Sequence, residues 1–126
     1  MTHLKEIVYL LQHLIASPSF SREEGKTAAI IQKFFTQKNI PTERIGNNII
    51  VKNKYYCQNS TTPIILLNSH HDTVKPVNGW TRDPFSADII DGKLYGLGSN
   101  DAGGALVSLI ATFCFFYDKN ISGVHR

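Results

Sequence analysis

The sequence predicts an α/β domain built from layers of helix and sheet. Three observations carry this. Two stretches near the N-terminus place apolar residues at helical spacing. The middle of the chain changes to short apolar runs of strand length, separated by turn residues. A third, almost wholly apolar helical stretch lies near the C-terminal end. Helices alternating with strands pack as layers around one core. With 126 residues the chain is long enough for one modest domain.

Leu4, Ile7, Val8, Leu11, Leu14 and Ile15 share one face of a helix from about Leu4 to Ala16, which stops before Pro18. Ile7 to Leu11 has the apolar character of a signal-peptide core. Glu6 before it, Gln12 and His13 after it, and the lack of a clean small-residue cleavage site favour an amphipathic core helix. Ser17 to Ser21 is a loop. Ser21-Arg22-Glu23-Glu24 has the form of a capping box, in which Ser21 accepts the Glu24 N–H and Glu24 accepts that of Ser21. A second helix follows, with Ala28, Ile31, Phe34 and Phe35 as its apolar face, and ends near Asn39 ahead of Pro41.

Beyond this point the period changes. Ile49-Ile50-Val51 reads as a strand entered through the turn Gly46-Asn47-Asn48. Residues 52–62 are polar and read as a loop. Ile64 to Leu67, after Pro63, is apolar on both faces, the pattern of a central strand in a covered sheet. Residues 75–87 are irregular, with Pro76, Gly79 and Pro84. Ile89 to Tyr95 is a hairpin about Asp91-Gly92. The glycine-rich stretch from Gly96 to Gly104 opens a helix from about Ala105 to Tyr117. There is no repeat and no low-complexity linker.

The net charge is +3 and the charges are scattered, with no nucleic-acid motif, so a nucleic-acid partner is not expected. Cys57 and Cys114 are far apart and lack CxxC spacing, as reduced thiols in a reducing compartment would be. No stretch reads as long enough to span a bilayer, and a cytoplasmic location without membrane association is expected.

The chemistry gathers where the Ile64–Leu67 run ends, in Asn68-Ser69-His70-His71-Asp72-Thr73-Val74. If that strand continues, His70 and Asp72 point to one side and His71 to the other. An imidazole beside a carboxylate suits a divalent metal, with the carboxylate orienting the ring. The same residues could equally cap a turn. Asp101, between Gly98 and Gly103-Gly104, is the second candidate. The glycines allow close approach to an ion, while a carboxylate at a helix start is also an ordinary cap. The loop has neither the lysine of a P-loop nor the last glycine of G-x-G-x-x-G, and Asp101 would repel phosphate. His3, His13 and His125 are isolated and expected to be exposed. Ser69 and Ser99 have no visible base. Trp80, Phe85, Cys57 and Cys114 read as structural.

Taken together, these motifs resemble the M20 family of metal-dependent peptidases and deacylases. His70-His71-Asp72-Thr73-Val74 resembles its H-x-D-x-V motif. Trp80-Thr81-Arg82-Asp83-Pro84-Phe85 resembles W-x-x-D-P-F, and Gly92 to Asp101 resembles G-x-L-Y-G-x-G-x-x-D. Ala16 to Ser21 is similar to the loop after the family's first helix. The resemblance runs from about residue 4 to 117, with TVKPVNGW and LYGLGSNDAGG most like acetylornithine and succinylornithine deacetylases. It implies a three-layer, zinc-exopeptidase-like mixed sheet flanked by helices, with residues 1–126 as the N-terminal part of the catalytic domain.

The resemblance also implies site roles. His70 would bind one zinc, Asp101 would bridge two, and Asp72 would be the accessory acid that orients a metal-bound imidazole. The peptide bond after Asp101 would be cis. The expected cofactor is Zn2+, two ions in the full site, with Co2+ as a substitute. The implied reaction is hydrolysis of a small N-acyl amino acid, acetylornithine deacetylase-like, in arginine biosynthesis. Other M20 activities, such as a dipeptidase or a succinyl-diaminopimelate desuccinylase, are alternatives, as is a non-catalytic binding module of the same fold.

Two departures qualify this. The common D-M-K-G is here Asp101-Ala102-Gly103-Gly104, without the lysine. The family's general-base glutamate, its remaining metal ligands and its dimerisation domain have no counterpart in these residues. The chain is therefore expected to be a fragment, inactive alone, with apolar surface exposed where the absent strands would pair.

Overall fold

A computed structural model describes residues 3–58, 61 and 63–120. His125 lies outside the described residues. The order of elements is α1 (His3–Ala16), α2 (Gly25–Gln37), β1 (Glu43–Ile45), β2 (Asn48–Ile50), β3 (Ile89–Ile90), β4 (Lys93–Leu94) and α3 (Ala105–Phe116). The α/β class holds: among the described residues there are three helices and two small antiparallel sheets, β1–β2 and β3–β4.

The core is mostly helical. Leu10 and Leu14 of α1, Ile31 and Phe35 of α2, Ile40, and Val107 and Ile110 of α3 form one buried cluster. Phe35 meets Phe34 and Phe113 edge to face, at centroid distances of 5.9 and 6.0 Å. Of the α1 face read from the spacing, Leu14 is in the cluster and Ile7 and Leu11 pack against it, whereas Leu4 is exposed and the buried Leu10 was not on that face. An ion pair between Lys38 and Glu6 at 2.7 Å ties the end of α2 back to α1.

β1 was not apparent in the sequence. Glu43-Arg44-Ile45 is exposed on every residue, so it carries no apolar alternation. It forms because the Gly46-Asn47 turn folds it onto β2, pairing Glu43 with Ile50 and Ile45 with Asn48. Ile49 and Val51 then pack on the helical cluster. The β3–β4 hairpin forms as expected about Asp91 (φ 51°) and Gly92 (φ 74°), both in the positive-φ region a two-residue turn needs.

Ile64 to Leu67 differs from expectation. It joins no ladder among the described residues. Ile64, Ile65 and Leu66 are 63%, 78% and 83% exposed. A strand apolar on both faces needs a neighbour along each edge and a layer over each face. Neither hairpin pairs with it.

Ser99–Phe116 also departs from expectation, because by length and composition alone it is a run able to cross a membrane. Its backbone is interrupted at Asp101 and Ala102, whose φ, ψ values of −114°, 97° and −119°, 26° are non-helical. The regular helix α3 has 12 residues, which at 1.5 Å per residue is about 18 Å, well short of a ~30 Å hydrocarbon layer.

Candidate functional site

The candidate site is assembled from three loops. The first joins α1 to α2, the second is residues 69–74, and the third is the glycine-rich turn before α3. The first two run side by side. Phe20 and Thr73 form a parallel bridge, the Thr73 N–H donates to the Ser19 carbonyl at 2.8 Å, and Ser19 Oγ donates to the His71 carbonyl at 2.9 Å. The third loop closes over them because Gly98 has φ 77°. A Cβ there would lie 2.6 Å from Thr73 Cγ2. Glycine is therefore required both for the conformation and for the close approach. The Gly103 N–H donates to the Gly98 carbonyl at 2.8 Å. The Asp101–Ala102 peptide is cis, as the resemblance implied.

This packing brings the three candidate residues together. His70 Nε2 lies 3.1 Å from Asp101 Oδ1. On the other edge of the ring, His70 Nδ1 lies 3.1 Å from both Asp72 Oδ1 and the Asp72 carbonyl. The imidazole is thus held between two carboxylates. Every partner of the ring is an acceptor, so both nitrogens donate when the imidazole is charged; a cation taking Nε2 would leave the proton on Nδ1, where two acceptors meet it. The Asp101 side chain is 90% exposed, with most of its carboxylate open to the cleft.

His71 turns away, as the alternation predicted. Its Nε2 donates to the Asn47 carbonyl at 3.0 Å, and its Nδ1 lies 2.8 Å from Thr27 Oγ1. Thr27 is fully buried. His71 therefore ties the site loop to α2 and to the β1–β2 turn, and is not part of the reactive face.

Three residues behave differently from their sequence readings. Ser21 and Glu24 do not form a capping box. α2 starts at Gly25, with Glu24 as its cap residue and no side-chain cap. The Glu24 carboxylate accepts from the Arg22 N–H and from Asn47 Nδ2. The Ser21 hydroxyl instead donates to Asp72 Oδ2. The S-x-x-E pattern was the only local signal for Ser21, and it pointed to the helix. Trp80 also departs from a purely structural reading. It is 41% exposed and lines the cleft.

The electrostatics follow from these contacts. Partial burial alone would lower the His70 pKa. The Asp72 carbonyl, the Asp101 carboxylate and the negative charge of both acids outweigh it and hold the imidazole above the ordinary histidine value. The Ser21 hydrogen bond, helped by His70, holds Asp72 below the usual carboxylate range against partial burial. An open cleft of about 290 Å³ lies in front of the site, lined by Ser21, His70, Asp72, Trp80, Asn100 and Asp101 among others.

An imidazole nitrogen and a carboxylate oxygen, the ring held from behind by a second carboxylate, are donor types that zinc accepts. Among the described residues no group of three or more His, Cys, Asp or Glu side chains converges on one point. The donor set therefore fits part of a zinc shell.

Known proteins resemble this chain over the same residues. Residues 66–123 match the model of peptidase family M20/M25/M40. The succinyl-diaminopimelate desuccinylase of Methylorubrum populi is 30% identical over 117 residues, covering 88% of this chain and 30% of that protein. The protein of the same name from Parvibaculum lavamentivorans is 34% identical over 105 residues, covering 78% of this chain and 26% of its own length. That from Legionella pneumophila is 29% identical over 109 residues, covering 85% and 29%. The chain thus spans about 30% of the length of the curated relatives it matches. The matched residues 66–123 include His70, Asp72 and Asp101, so the candidate site lies in the part of the chain that is similar to this peptidase family.

Proposed function

We propose that residues 1–126 form the N-terminal part of a zinc-dependent hydrolase that cleaves the amide of a small N-acyl amino acid. The observation that carries this is the convergence of His70 Nε2 and Asp101 Oδ1 at 3.1 Å, with Asp72 behind the ring. His70 and Asp101 would hold zinc, and Asp72 would orient His70. Zinc in such a shell lowers the pKa of a bound water and polarises the amide carbonyl. His70 presents Nε2 because Asp72 fixes the proton on Nδ1. Asp101 keeps a carboxylate open to the cleft, able to reach more than one cation. Trp80 gives the cleft an apolar wall.

The names of the relatives favour an N-succinyl over an N-acetyl substrate, and so a desuccinylase over the acetylornithine deacetylase that the motifs suggested. A two-donor set binds zinc weakly, since closed zinc sites take three or four protein ligands. The 126-residue chain alone is accordingly expected not to hydrolyse N-acyl amino acids.

A chimera tests the reading. Residues 1–126 replace the matching segment of the Methylorubrum populi protein, and hydrolysis of N-succinyl and N-acetyl amino acids is followed. The expected result is zinc-dependent hydrolysis with the succinyl substrates preferred, abolished by His70→Ala or Asp101→Ala. A folded, zinc-loaded chimera that leaves both substrate classes intact contradicts the reading.

A further inference from the structure

We propose that Ser21 is a positioning residue: its hydroxyl, brought in from the α1–α2 loop, locks the Asp72 carboxylate in the orientation that makes His70 present Nε2 to a cation. The inference rests on the zinc reading above and extends it to a residue outside the H-x-D motif.

Asp72 has two oxygens with different tasks. Oδ1 lies 3.1 Å from His70 Nδ1, and Oδ2 takes the hydrogen bond from Ser21. Without Ser21, Oδ2 would face the cleft and water, and the carboxylate would be free to turn about its terminal bond, a soft, broad torsion. Turning it would take Oδ1 away from Nδ1. With Ser21 in place both oxygens are engaged and the carboxylate plane is fixed. A neutral hydroxyl does this without cancelling the charge of Asp72. An arginine or lysine in its place would instead compete with the imidazole for the acid.

Ser21 can act this way because its own backbone is anchored. The Phe20–Thr73 bridge, the Thr73 N–H to the Ser19 carbonyl, and Ser19 Oγ to the His71 carbonyl fasten residues 19–20 to residues 71–73 on either side of Asp72. The hydroxyl is thus delivered from a loop already in register with its acceptor. Ser21 also lines the open cleft, and its hydroxyl bonds to Asp72. Any influence it has on the imidazole passes through Asp72.

The experiment uses the 126-residue chain with Zn2+ as the probe. Zinc affinity is measured by calorimetry, and the His70 tautomer is read from ring 15N shifts in alkaline, metal-free solution, where the imidazole is neutral. Ser21→Ala is expected to weaken zinc binding by about tenfold, the lower end of the effect of outer-shell partners. It is also expected to reduce the Nδ1–H tautomer of His70. Ser21→Thr, which keeps the hydroxyl, is expected to restore both. In an Asp72→Ala background, Ser21→Ala is expected to add no further loss, because the two residues act as one unit.

Ser21→Ala with wild-type affinity and wild-type tautomer populations overturns the proposal. So does a full additional loss in the Asp72→Ala background. Should Ser21→Ala fail to fold, the same decision falls to Ser21→Cys, which keeps the volume with a much weaker donor. If the wild-type chain takes up too little zinc at His70 for calorimetry, as two protein donors allow, the affinity comparison drops out. The tautomer shift still decides whether Ser21 positions the ring.

Discussion

Residues 64–67 and residues 69–73 are neighbours in sequence and differ completely in how they are held. The first segment is four apolar residues without a ladder partner among the described residues, three of them more than 60% exposed. The second is pinned on several sides. Ser19, Phe20, Thr27 and Asn47 all bond to it, and Gly98 packs against Thr73. Hydrogen bonds to nearby loops and to α2 suffice to build the His70–Asp72–Asp101 arrangement. A double-faced apolar strand is different, because its stabilisation comes only from layers on both sides. The site geometry is therefore more local than the sheet that the strand pattern anticipates.

The contrast is sharpest in stability. Thr27→Val removes a fully buried hydroxyl that partners His71 Nδ1 and the Glu24 carbonyl. Leaving the partly buried His71 Nδ1 without this partner is expected to cost about 1 kcal/mol. Leu66→Ala, in the exposed run, is expected to change stability by no more than about 0.5 kcal/mol. It should instead reduce concentration-dependent self-association, since an unpaired apolar run is a surface other chains can pair with. Urea denaturation and sedimentation of both variants check this. Equal destabilisation by the two substitutions would break the distinction.

A smaller effect is expected from pH. The Arg22 N–H, ahead of Asn47, holds Glu24 below the usual carboxylate range. Its folded pKa lies below its unfolded one, so its stabilising contribution is present above the unfolded pKa and is lost as pH falls through the folded one. Urea midpoints should therefore decline in mildly acidic solution. Glu24→Gln should flatten part of that decline near the α2 start and the β1–β2 turn. An unchanged acid limb in Glu24→Gln would remove Glu24 from the account of how the site shelf is held.

Much of this was legible in the residues themselves. The helical spacing of Leu14, Ile31 and Phe35 gave much of the core, though not the buried Leu10, and Asp91-Gly92 gave the hairpin. The alternation of His70, His71 and Asp72 placed His71 on the opposite side, where the structure has it. What was not legible depends on partners distant in sequence. Ile64–Leu67 has the composition of a buried strand, but composition cannot supply the neighbours that bury it. Glu43–Ile45 lacks strand alternation and forms by folding onto β2. Ser21 carries a helix-cap pattern, and only the approach of residues 71–73 redirects its hydroxyl to Asp72, 51 positions away.

The account turns on the claim that His70 Nε2 and Asp101 share one cation. Titrating the 15N-labelled chain with Zn2+ and following every histidine ring nitrogen tests it most directly. The predicted result is a response at His70 Nε2, with Nδ1 keeping its proton and Asp101→Asn suppressing the response. A response confined to His3 or His13, or one at His70 that survives Asp101→Asn unchanged, would contradict the claim.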